Sequence, residues 1–137
     1  MKYYTITIVF IISLLAWSCN NSENNNKDNQ EASIELNNGP KGKVNAEMSP
    51  YIVESENILN TYNSNNHYNL DKQLKDQNKS LIKSCNMKGK SHDELRKWLH
   101  PHIQLVDALS KAESEHKAEE IIAQLKESFK TYNTYFQ

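Results

Sequence analysis

Residues Ser91 to Leu109 read Ser-His-Asp-Glu-Leu-Arg-Lys-Trp-Leu-His-Pro-His-Ile-Gln-Leu-Val-Asp-Ala-Leu. Leu95, Trp98/Leu99, His102, Val106 and Leu109 fall at intervals of three and four, the repeat of an amphipathic helix. Ser91-His92-Asp93-Glu94 has the pattern of a capping box. Ser91 would accept the third backbone N–H, and Glu94 would return to the N–H of the cap. Pro101 lies inside the helix, where it removes one backbone hydrogen bond and crowds the Lys97 carbonyl. A kink near His100 is therefore expected.

Working outward, three more segments carry the same period. Ala118, Ile121/Ile122, Leu125, Phe129, Tyr132 and Phe136 mark a regular last helix. Leu70, Leu74, Leu81 and Cys85 mark a helix from about Tyr68 to Met87, with Gly89 as its expected C-terminal stop. Ile52, Leu59 and Tyr62 mark a first helix, with Ser49 as cap and Pro50 at the first helical position. Asn63 to Asn66 breaks the pattern between the first two. Each helix has one apolar face and the connections are short. The expected fold is all-α, an up-down-up-down four-helix bundle over residues 48–137.

The rest of the 137 residues has a different character. Lys2 precedes an almost wholly apolar run, Ile6 to Trp17, which is too short to span a bilayer and reads as an export signal. It ends at Leu15-Ala16-Trp17-Ser18-Cys19, which resembles a bacterial lipobox. That resemblance implies a lipoprotein signal peptide over residues 1–18 and acylation of Cys19, which would hold the protein on a membrane. From Asn20 to Asn29, six of ten residues are Asn. With Gly39-Pro40 and Gly42 further on, residues 19–47 are expected to be a disordered tether. No Asp or Glu follows Cys19 directly, so no inner-membrane retention signal is visible. The expected location is the cell envelope, on the outer or inner membrane, with the domain in the periplasm or at the cell surface.

Charge excludes one class of partner. From Met48 onward, Lys and Arg balance Asp and Glu at twelve each. Without a basic stripe, nucleic acid is not an expected partner. About ninety folding residues are also too few for a doubly wound nucleotide-binding fold or a barrel enzyme.

The last helices resemble those of the cytochrome b562 family, the periplasmic haem-binding four-helix bundles. The residues that carry the resemblance are Asp107-Ala108-Leu109-Ser110-Lys111-Ala112, Lys117-Ala118-Glu119-Glu120, Gln124-Leu125-Lys126 and Tyr132. Asn57 to Cys85 can be laid on the family's first two helices without a gap. The resemblance implies the same bundle. It also implies haem ligands at two positions, which here hold Tyr51 and Asn133, with Met48 three residues before Tyr51. Asn is not a normal axial haem ligand, so the family's electron-transfer chemistry is not expected.

One cluster carries possible metal chemistry. Cys85, Met87 and His92 lie on the turn between the second and third helices, and a thiolate, a thioether and an imidazole suit Cu(I). Against this, Cys85 continues an apolar stripe and Met87 can fill a gap in the core. His102 sits on a buried stripe, where a ligand or base is one reading and a hydrogen-bonded core residue the commoner one. No nucleophile–base pair, facing carboxylate pair or Gly-rich phosphate loop stands out, so catalysis is not expected. The sequence points to a lipid-anchored, non-catalytic binding or accessory domain with a possible protein partner. The alternative is a periplasmic carrier of haem or copper, and a third reading is a structural lipoprotein with no ligand.

Overall fold

The computed structural model describes residues 33–35, 39–63 and 66–137. The export signal expected over residues 1–18 and the expected lipidation site, Cys19, lie outside the described residues. Four helices follow in order: α1 Ser49–Thr61, α2 His67–Ser84, α3 Lys90–Leu109 and α4 Glu115–Tyr135. Each connection is five residues long, which forces consecutive helices to run antiparallel. α1 packs on α2, α2 on α3 and α3 on α4, and α4 closes the ring against α1. The protein is an all-α four-helix bundle.

The core is built from the expected stripes. Ile52 and Leu59 of α1, Leu70, Leu74 and Leu81 of α2, and Leu95, Trp98, Leu99, Val106 and Leu109 of α3 are buried. So are Ala118, Ile121, Leu125, Phe129 and Tyr132 of α4. Each large aliphatic or aromatic side chain taken from water contributes roughly 1.5–3 kcal/mol. On this accounting the four stripes, not helix propensity, hold the bundle. α3 runs through Pro101 without leaving the helical conformation.

The helix ends differ from expectation. Ser91 is not a cap. α3 begins two residues earlier than a Ser91 cap implies, at Lys90, with Gly89 as its N-cap and no side-chain cap bond. Gly89 adopts φ +68°, a left-handed conformation open to glycine at little cost, and its carbonyl accepts the Asp93 N–H at 3.1 Å. Ser91 is thereby placed inside the first turn, and Glu94 is engaged elsewhere. Gly89 also does not terminate α2, which ends at Ser84 with Cys85 extended as its C-cap. Ser49 is likewise a helical residue, and the cap of α1 is Met48, without a side-chain bond. The side-chain caps are at α2 and α4. Asn66 accepts the Asn69 N–H at 3.1 Å, and Ser114 accepts the Lys117 N–H at 3.2 Å.

Contacts with the bundle begin before Met48, within the stretch expected to be tether. Gly42 donates to the Tyr135 carbonyl at 2.8 Å and accepts from the Gln137 N–H at 3.0 Å, while the Val44 N–H reaches the Gln137 carbonyl at 2.9 Å. This short parallel bridge pairs the approach to α1 with the exit from α4. Val44 is buried and Met48 wholly so. The side-chain amide of Asn45 donates to the Ser84 carbonyl at 3.1 Å, satisfying a carbonyl that the end of α2 leaves without a helical partner.

Candidate functional site

An open groove of about 920 Å³ lies between α3 and α4 at the surface. Its apolar lining comes from Trp98, Pro101 and Leu105 of α3 and from Ala123 and Tyr135 of α4, with Ile34 at one end, and Lys97, Gln104, Gln124, Glu127 and Thr131 line it as well. The helical period puts Trp98, Pro101 and Leu105 on one side of α3, at steps of three and four.

Beneath the groove, Trp98 and His102 lie one turn apart on α3 and stack with ring centroids 5.0 Å apart. The Trp98 indole N–H donates to the Ser128 carbonyl at 2.8 Å. His102 Nδ1 lies 3.0 Å from Ser128 Oγ. Phe129 meets the imidazole edge-on at 4.8 Å, and Tyr132 packs 4.8 Å from Trp98. These contacts fix the two helices against each other by hydrogen bonds as well as by apolar area.

Burial sets the protonation states here. His102 is 1% exposed, and its pKa is pushed down to about 4 by desolvation. It is a neutral imidazole near pH 7, with one nitrogen donating and the other accepting. Its pKa is shifted by desolvation, with no contribution from a carboxylate. Tyr132 is pushed up to about 12 by burial and then by the Glu56 charge.

At the Ile34 end, three residues from ahead of the bundle lie on α3. The Glu35 N–H donates to Glu94 Oε2 at 2.8 Å, and the Lys97 ammonium donates to the Ser33 carbonyl at 3.0 Å. Lys97 also holds Glu94 Oε1 at 2.9 Å. Lys90 faces the Glu35 carboxylate at 3.6 Å, and Ile34 packs against the core. Glu94 is buried, yet its pKa is lowered, first by the Glu35 N–H and then by Lys97. This explains why Glu94 takes no part in a capping box.

Sequence reasoning placed His102 in the core. It missed Ser128, Glu94, Lys97 and the Ser33–Glu35 segment. The available signal was Ile34 and Leu36, two aliphatic residues in a mostly polar stretch.

The residues expected to hold a metal lie elsewhere. Cys85 and Met87 are half-buried against the core at the end of α2 and in the turn beyond it. His92 stands in the first turn of α3, with Nδ1 3.9 Å from the Asp93 carboxylate. Among the described residues, no three His, Cys, Asp or Glu side chains gather as a metal-binding group. The haem-ligand positions do not fit haem. Asn133 is exposed and donates to Glu56 at 2.9 Å, Tyr51 packs at the core margin, and Met48 is sealed inside. No helix among the described residues is long and apolar enough to cross a membrane.

No family model, no curated protein and no solved structure matches this chain.

Proposed function

We propose that the protein is a lipid-anchored lipoprotein of the cell envelope. In this reading its helical bundle is a non-catalytic module that binds another protein through the α3–α4 groove. The observation that carries the reading is the groove itself. It is an open surface trough with apolar side chains set among polar ones, and a trough on two helices gives a partner a preformed seat. The aromatic and hydrogen-bonded floor of Trp98, His102 and Ser128 keeps its shape without a ligand. The lipobox at Cys19 supports the anchor, and the Asn-rich stretch after it supports a spacing role between lipid and domain.

The test is photo-crosslinking in intact exporting cells. A photoreactive residue is placed at Leu105, inside the groove, and in a second protein at Lys79, on α2. Leu105 is expected to give a discrete protein adduct that Lys79 does not, and the adducted protein is then expected to bind the purified domain. Identical patterns from the two positions would overturn the reading.

A further inference from the structure

We propose that the outer face of α2 docks on the surface of an anionic phospholipid bilayer. The inference rests on the lipid-anchored reading above and adds to it the side of the bundle that meets the lipid.

The overall charge balance of the domain hides this face. α2 carries Lys72, Lys75, Lys79 and Lys83 against Asp71 and Asp76. Lys75 is held on the flank toward α3, 3.0 Å from Asp71 and 3.7 Å from Asp107. Lys72, Lys79 and Lys83 are exposed, and none of them makes an ion pair with a described residue. α4 is different, because its Lys117 and Lys130 are paired with Glu120 and Glu127.

Helical geometry gathers the free cations. At 3.6 residues per turn, Tyr68, Lys72, Lys79 and Lys83 fall within an arc of about 60°. That arc lies opposite the buried stripe of Leu70, Leu74 and Leu81. Of the two aspartates of α2, only Asp76 shares it.

The face also has apolar ends. Tyr68 is 63% exposed and Ile82 is 53% exposed, the first in the opening turn of α2 and the second in its last. Lysines set between exposed apolar side chains suit the boundary of headgroups and acyl chains. The ammonium groups meet phosphates, while the ring and the branched chain enter the apolar edge. A nucleic acid would match the lysines and leave Ile82 without a partner.

Lipid is also the surface that the proposed anchor keeps nearest. Thirteen residues separate Cys19 from Ser33, a span of at most about 50 Å. The bundle is about 30 Å long, so any of its faces can reach the bilayer, and charge selects the one that settles. A cationic contact too weak to hold a free protein persists at the effective concentration that the anchor imposes. The contact would also orient the groove. α2 and α4 each pack on α1 and α3, which places them diagonally. With α2 on the lipid, the α3–α4 groove is turned away from the membrane and open to a partner.

The experiment uses the protein purified in detergent from an exporting host and added to preformed vesicles. One set is phosphatidylcholine, the other phosphatidylcholine with phosphatidylglycerol. A membrane-impermeant amine reagent labels the lysines, and mass spectrometry gives the rate at each. On the mixed vesicles Lys72, Lys79, Lys83 and the neighbouring Lys88 are expected to react about three-fold more slowly. Lys126, exposed on α4, is expected to react equally on both. Molar salt should remove the protection. So should combining Lys72→Gln, Lys79→Gln and Lys83→Gln, read at Lys88. Equal rates on the two vesicles, equal slowing at Lys126, or protection of Lys88 that survives the triple variant overturns the proposal. The same protection by duplex DNA overturns it too, because the face would then be a general polyanion site. Retention on both vesicles with equal rates removes this inference and leaves the anchor. Retention on the mixed vesicles alone removes the anchor and leaves the face, and retention on neither removes both.

Discussion

His102 Nδ1 on α3 and Ser128 Oγ on α4 lie 3.0 Å apart across the helix interface, with the imidazole almost sealed from water. The contact joins two residues twenty-six apart in sequence. It satisfies a polar group that the core would otherwise penalise by roughly 1–3 kcal/mol.

This burial makes stability depend on pH. The folded-state pKa of His102 is lowered from 6.5 to about 4. Between those values the unfolded chain takes up a proton that the folded chain refuses. The contribution is therefore complete above pH 6.5 and is lost as pH falls toward 4. The slope is roughly 1.4 kcal/mol per pH unit, so about 2 kcal/mol is lost by pH 5. Urea denaturation at pH 7 and pH 5 measures it, and His102→Gln should flatten the difference. Glu94, also lowered, has the opposite chemistry but the same direction. Its contribution is lost only as pH falls below the ordinary Glu range, so pH 5 isolates the histidine.

The helix caps give a contrast in one experiment. Ser114→Ala removes the acceptor of the Lys117 N–H and should cost about 0.5–2 kcal/mol. Ser91→Ala touches no cap bond and should change stability by less than about 0.5 kcal/mol. Thermal melts of the two variants decide the matter, and a larger loss at Ser91 would contradict the Gly89 start of α3.

Gly42 is a close approach. A Cβ there would stand 2.9 Å from a Phe136 ring carbon. Gly42→Val should push the ring or the strand aside and cost about 1–3 kcal/mol. Faster hydrogen exchange at the Val44 and Gln137 amides, which close the bridge, would report the same displacement.

The proposed anchor has its own test. Cys19→Ser should move the protein from the membrane fraction to the soluble one, because the thiol that takes the acyl chains is gone. Unchanged partitioning would remove the lipoprotein reading and leave the bundle as it is.

Local period alone was enough to read the bundle. An apolar residue every three or four positions buries one face of a helix wherever the chain goes. The buried stripes of Leu95 to Leu109 and Ala118 to Tyr132 follow from spacing, and five-residue connections leave antiparallel packing as the compact arrangement. The helix starts were less legible. Ser91 and Gly89 are two residues apart and both suit a cap, and the positive φ of Gly89, with its carbonyl accepting the Asp93 N–H, makes Gly89 the one that serves. The site was mostly hidden. Glu35 and Glu94 meet across fifty-nine residues, and Gly42 pairs with the chain's last residues. Contacts of that range leave no periodic trace. They depend on where rigid helices bring distant backbone groups together, and unpaired backbone groups are costly enough that the fold finds them partners.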